Sequence, residues 1–219
     1  MKRILCYGDS NTWGFDSRRT KEAGYVIRFP EHVRWTSIAA DVLGSDYCIL
    51  EEGLNSRTTV FDDPLEYGKN GLKYIEIAVR TCDPIDCVII MLGTNDLKDY
   101  FCASEEMITR GASDLVHTCR ATLEQTQSAH ARIILAVPII PTADGDGTYW
   151  YGFSPESTQK GTALRTSYQQ LAEQIGIGFF DANCYATADA DDGVHLSEAG
   201  HRKLGEAFAS FLRKVLDEL

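Results

Sequence analysis

The chain holds seven cysteines (Cys6, Cys48, Cys82, Cys87, Cys102, Cys119, Cys184), an odd number with no Cys-x-x-Cys pair. That spacing gives neither a structural zinc set nor a disulfide framework, and several of the thiols sit in apolar runs, where a free thiol packs as a small hydrophobe. Such usage points to a reducing compartment. Long hydrophobic runs are also missing. The longest, Ile133 to Ile140, contains Pro138, and behind the basic Met1-Lys2-Arg3 the apolar stretch is only Ile4 to Tyr7. A spanning helix needs about 20 apolar residues and a secretory signal roughly 7–15. The expectation is a soluble, cytoplasmic protein. Positive charge is scarce too: 21 Lys and Arg face 32 Asp and Glu, a net −11. That field repels polyphosphate and anionic lipid, so neither nucleic acid nor membrane is expected as a partner. Repeats, low-complexity tracts and linkers are absent. With 219 residues against a prior of about 150 per domain, residues 1–219 read as a single domain.

What is present is the composition of a packed core: 44% hydrophobic and 24% charged residues, close to the globular average. Five short apolar runs read as strands: Arg3–Tyr7, Asp46–Glu51, Asp86–Leu92, Arg132–Val137 and Ile177–Asp181. They lack polar alternation, as strands buried on both faces require, which points to a parallel sheet covered by helices. Helical periodicity lies between them. One helix is expected after Pro30, with Trp35, Ile38, Ala39, Val42 and Leu43 on its stripe; another is expected from Asp63-Pro64, an N-cap and N1 proline. Ser104 and Ser154 are N-caps for two more, and a last helix starts near Ser197. The βα alternation predicts a three-layer α/β/α sandwich with a five-stranded parallel sheet in the flavodoxin-like order 2-1-3-4-5. Two connections are long, Asn11 to Phe29 and Pro138 to Phe153, and loops of that length tend to carry function.

Ligands in such a sheet bind beyond the carboxyl ends of the strands. There the chain carries Gly8-Asp9-Ser10-Asn11, then Gly53-Leu54-Asn55-Ser56-Arg57, then Gly93-Thr94-Asn95-Asp96, and finally Asp191-Asp192-Gly193-Val194-His195. A hydroxyl, backbone amides, a carboxamide and a carboxylate–imidazole pair suffice for nucleophilic acyl transfer. The imidazole activates the serine, the carboxylate fixes the imidazole, and the amides stabilise the oxyanion. Taken singly, Ser10 is an ordinary turn serine, Asn95-Asp96 are turn residues and His195 is a surface histidine; their coincidence at successive strand ends points to function. No Gly-x-Ser-x-Gly elbow is present, so the α/β-hydrolase version is excluded.

Gly8-Asp9-Ser10, Gly93-Thr94-Asn95-Asp96 and Asp192-x-x-His195 resemble the blocks of the SGNH (GDSL) hydrolase family. Val33-Arg34-Trp35-Thr36, Glu51-Glu52-Gly53-Leu54, Arg57-Thr58-Thr59, Asp62-Asp63-Pro64, Met91 to Lys98 and Phe179-Phe180-Asp181-Ala182 are similar to its arylesterase/acyltransferase branch. The resemblance implies ester hydrolysis through an acyl-serine, possible acyl transfer to alcohols, no metal and no cofactor, and a homo-oligomer. By position it makes Ser10 the nucleophile, His195 the base and Asp192 its orienter. The oxyanion donors are the Ser10 amide, the Asn95 side chain and the Ser56 amide. The family has glycine where Ser56 stands, a change the amide tolerates if φ stays negative. Asn11 stands where the family name has leucine, and is expected to tune the polarity of the acyl pocket. Together with Trp13, Asn55 and Trp150 it makes up the expected substrate-binding set, with Phe15 and the Tyr149–Phe153 aromatics as candidate walls. Asp9 is expected to hold the turn, and His201 to pack rather than bind metal.

The implied function is a serine esterase for short acyl, acetyl-type esters of small molecules. The rival is a non-catalytic flavodoxin-like or receiver-type module, holding Mg²⁺ or phosphate on Asp9 and Asp96. It leaves Asp192 and His195 unexplained.

Overall fold

The computed structural model describes residues 1–217; the last two residues of the expected 1–219 unit lie outside the described residues. Among those described, five strands form one parallel sheet: β1 (Lys2–Gly8), β2 (Tyr47–Gly53), β3 (Cys87–Met91), β4 (Arg132–Val137) and β5 (Gly178–Asp181). Their order is β2-β1-β3-β4-β5, as the alternation predicts. Successive residues of β1 go to opposite faces, Ile4 and Cys6 to one and Leu5 and Tyr7 to the other, and all four are buried. β3 divides in the same way, with Ile89 on the first face and Val88 and Ile90 on the second. A strand with no solvent face has to be apolar throughout.

The first face is covered by α3 (Trp35–Leu43) and α7 (Glu198–Asp217). The second is covered by α4 (Leu72–Cys82), α5 (Glu105–Leu123) and α6 (Pro155–Ile175). Ser104 caps α5 by accepting the Met107 amide at 3.3 Å, and Ser154 and Ser157 form a capping box at the start of α6. Among the described residues, no helix is long and apolar enough to cross a membrane.

Two local expectations change. Asp63-Pro64 begins a turn, not a helix: Asp63 Oδ1 accepts the amides of Leu65 (2.8 Å) and Glu66 (3.2 Å). Gly68 then takes φ +79°, and the Gly71 and Leu72 amides bond to the Thr58 and Thr59 carbonyls, so α4 starts only at Leu72. The stretch Asn11–Phe29 is not an open loop either. It contains most of α1 (Ser10–Trp13) and all of α2 (Ser17–Ala23), closed by Gly14 and Gly24 in the left-handed region. Each is two turns or less, too short to show a periodic apolar stripe. Pro138–Phe153 remains without regular structure after Val137.

Candidate active site

Ser10 is the first residue of α1, directly after β1, and Asp9 caps that turn by accepting the Asn11 amide at 3.0 Å. His195 arrives from the segment ahead of α7. Its Nε2 lies 2.9 Å from Ser10 Oγ, and its Nδ1 lies 2.6 Å from Asp192 Oδ2. An ionised carboxylate only accepts, so Nδ1 carries the ring proton and the Nε2 lone pair faces the hydroxyl. Asp192 Oδ1 accepts the Val194 and His195 amides, both at 2.9 Å. Burial by itself would raise the Asp192 pKa. The bond and charge of His195 and the two amides outweigh it and hold the carboxyl below its usual range. Gly193, between them, has φ +69°, and a Cβ there would lie 2.1 Å from the Thr142 carbonyl oxygen.

Asn95 Nδ2 donates to the Arg57 carbonyl at 3.1 Å, which fixes the carboxamide plane and leaves a second N–H to offer. The amides of Ser10 and Ser56 donate to no acceptor among the described residues. Ser56 departs from the expected negative φ, adopting +64°. It sits third in the turn Leu54–Arg57, closed by Arg57 N–H to Leu54 O at 3.1 Å, where glycine is the usual residue at positive φ. A non-glycine residue there costs about 1–2 kcal/mol. Its hydroxyl donates to Glu66 Oε1 at 2.7 Å, and Glu66 is held in turn by Lys69 at 3.1 Å. Gly53 is required three residues earlier, because a Cβ would fall 2.1 Å from the Trp13 backbone nitrogen.

A cavity of about 430 Å³ opens over Ser10 and His195. Of the expected binding residues, Asn55 lines it and three do not. Asn11 is buried, with Nδ2 donating to the Val194 carbonyl (3.2 Å) and Oδ1 accepting the Leu196 amide (2.9 Å). It therefore grips the backbone on both sides of His195 instead of facing an acyl chain. Trp13 lies under the Arg28 guanidinium, 5.4 Å from the ring centroid. Trp150 turns away because its Nε1 donates to Asp144 Oδ2 at 2.6 Å, with Lys21 over its ring. The next residue, Tyr151, lines the cavity instead, at φ +56°, its hydroxyl donating to Asp192 Oδ2 at 3.4 Å. Phe15 packs against the His195 ring, centroids 4.2 Å apart and planes tilted by 31°. Sequence reasoning missed Leu65, Glu66, Lys98 and Tyr100 in the wall. Only for Lys98 was there a signal, its place three residues after Asn95. A larger depression of about 550 Å³ lies at the opposite end of the sheet, by Arg132 and Gly178, and carries no nucleophile–base pair.

Asp9 and Asp96, the carboxylates of the rival reading, are both buried. Burial raises the Asp9 pKa against the Asn11 amide, and pushes Asp96 up to about 6 against the Thr59 amide and hydroxyl. Among the described residues, no three His, Cys, Asp or Glu are grouped to hold a metal. His201 packs, as expected: it is buried, accepting the Trp35 amide on Nδ1 at 3.1 Å with its ring 5.1 Å from Phe29.

Known proteins resemble this chain over nearly its whole length. The model of the GDSL-like lipase/acylhydrolase family matches residues 6–203. The solved aryl esterase of M. smegmatis is 37% identical, with a TM-score of 0.90 over 99% of this chain and 100% of that one. A solved carbohydrate acetylesterase of Sinorhizobium meliloti is 34% identical, with a TM-score of 0.89 over 99% and 100% of the two chains. An acetylxylan esterase of Xylanibacter ruminicola is 24% identical across 96% of this chain. The chain spans only 43% of the length of that curated relative.

Proposed function

The chain belongs to the GDSL-like lipase/acylhydrolase family, and from that premise we propose that it cleaves short acyl esters of small molecules, acetyl esters first, through an acyl-serine. Ser10 Oγ attacks the ester carbonyl while His195 Nε2 takes its proton. The carbonyl oxygen becomes an oxyanion that the Ser10 and Ser56 amides and Asn95 Nδ2 receive. The imidazolium, steadied by Asp192, returns the proton to the departing alkoxide, leaving acyl-Ser10 and free alcohol. Water then attacks the acyl-serine, His195 takes its proton, and collapse frees the acid and regenerates Ser10. An alcohol in place of water gives acyl transfer, which is part of the proposal.

The observation that carries this reading is the Ser10–His195–Asp192 chain at 2.9 and 2.6 Å, beside two amides without protein acceptors. The acetyl preference draws support from the cavity's modest size and from the acetylesterase names of two relatives. The homo-oligomer remains a proposal, supported by exposed Leu65 in the cavity wall and exposed Tyr67 nearby in sequence. The test is a fluorophosphonate probe with p-nitrophenyl esters from acetyl to decanoyl. Ser10 should be labelled, Ser10→Ala should lose both label and turnover, and rates should fall beyond butyryl. Labelling that survives in Ser10→Ala sinks the assignment.

A further inference from the structure

Among the described residues, three lysine or arginine residues are less than one-tenth exposed: Arg34 (8%), Arg57 (6%) and Lys98 (7%). Arg34 spends its guanidinium on Glu51 and the Phe29 carbonyl, and Arg57 spends its own on the Gly8 and Glu52 carbonyls. Lys98 is different. It lies in extended backbone between the short turns Asn95–Leu97 and Asp99–Phe101, and its side chain lines the cavity over Ser10. Its ammonium makes no hydrogen bond or ion pair among the described residues; it lies 5.9 Å from the Tyr100 ring centroid.

None of the carboxylates in its surroundings bonds to it among the described residues. Glu66 is held by Ser56 and Lys69, and Asp63 by the Tyr100 hydroxyl (3.0 Å) and the Leu65 and Glu66 amides. Asp9 Oδ1 accepts the Asn11 amide, and its Oδ2 is buried without a hydrogen-bond partner among the described residues. Burial and the Lys69 charge pull the Lys98 pKa down, while Asp63, Glu66 and Asp9 favour its charged form. The only other formally charged side chain in the cavity wall is Glu66, already neutralised by Lys69.

An ammonium without a protein partner depends on water for its compensation. A substrate that fills the cavity displaces that water and leaves the ammonium uncompensated unless it brings an acceptor of its own. A neutral alkyl chain brings none, whereas a carboxylate offers the strongest. We propose that Lys98 is a specificity-determining residue whose ammonium receives a carboxylate carried by the ester substrate, so that the preferred substrates are anionic short-chain esters. The inference rests on the esterase reading, with Ser10 as nucleophile.

Two substrate pairs test it and locate the charge. Monomethyl succinate against dimethyl succinate places the carboxylate in the acyl portion. O-acetylglycolate against its methyl ester places it in the alcohol portion. Each kcat/KM is normalised to the ester's rate with hydroxide, for wild type, Lys98→Met and Lys98→Arg. The expectation is that wild type favours the anionic member of at least one pair. Lys98→Met should lower that anionic-over-neutral ratio about 30-fold, mainly through KM, and Lys98→Arg should keep most of it. A wild-type preference for the neutral ester in both pairs overturns the proposal, even if Lys98→Met fails to fold. So does a ratio that Lys98→Met leaves unchanged. If wild type neither takes the fluorophosphonate on Ser10 nor cleaves any of the four esters, the esterase reading itself has failed.

Discussion

His195 and His201 lie six residues apart and are both buried, yet the two regions make different groups of them. Around His195 an acceptor, Asp192, meets Nδ1, and a hydroxyl meets Nε2. Around His201 a donor, the Trp35 amide, meets Nδ1, and Nε2 has no partner. The ring protons therefore sit on opposite nitrogens: on Nδ1 in His195 and on Nε2 in His201. Burial, with the His195 and Arg34 charges, pulls His201 down to about 3. Burial alone yields an inert neutral imidazole. A base aimed at a nucleophile also needs a carboxylate behind it, and that carboxylate is the difference between the two regions.

The largest effect comes from making the first region resemble the second. Asp192→Asn replaces an obligate acceptor by an amide that can also donate, so the Nδ1 tautomer is no longer enforced. We expect kcat on p-nitrophenyl acetate to fall about 10⁴-fold with the circular dichroism spectrum unchanged. A loss smaller than about ten-fold would mean that His195 works without its carboxylate.

Asn11→Leu sharpens the comparison by leaving the triad intact and cutting its backbone grip. Asn11 ties the Val194 carbonyl and Leu196 amide to the nucleophile turn, a tether that His201 does not need because α7 holds it. Leucine of similar volume deletes both bonds and strands two buried backbone groups. A misplacement of the ring near 1 Å costs on the order of 10²-fold, so a kcat loss between about 10- and 100-fold is expected, with KM for p-nitrophenyl acetate little changed. An effect seen in KM alone would return Asn11 to the acyl pocket.

The sheet and the strand-end groups proposed to react were legible because both rest on short-range patterns. Doubly buried strands such as Cys87–Met91 have to be apolar, and strand ends have to carry the chemistry. The cavity wall was legible only in part: Phe15, Asn55 and the Tyr149–Phe153 stretch were expected there, but contacts distant in sequence decide which residues enter it. Trp150 and Tyr151 are neighbours of like chemistry, and an acceptor on Asp144 draws one away while the other reaches Asp192. Leu65 and Tyr100 enter the wall because Asp63 folds a turn where its Asp-Pro pair suggested a helix. Ser56 holds a glycine-like conformation because Glu66, ten residues on, binds its hydroxyl. Asn11 was noticed as a departure from the family, but its role depends on Val194 and Leu196, near the far end of the chain.

The smallest effect on turnover should come from the second region, where the change appears in stability instead. His201→Asn keeps an acceptor near the Trp35 amide and removes the titrating ring. The folded-state pKa near 3 lies below the usual 6.5, so protons bind the unfolded chain first. The histidine's contribution is complete above about pH 6.5 and is lost as pH falls toward 3. Across that window wild type should lose up to about 4–5 kcal/mol that the variant keeps. Urea unfolding at pH 7 and at pH 4.5 reads the difference, because the carboxylates common to both proteins cancel in the comparison. A gap that fails to change in the variant's favour on acidification would mean that His201 takes up its proton inside the fold. Burial without a carboxylate would then not be enough to keep an imidazole neutral, and the contrast with His195 would lose that half of its argument.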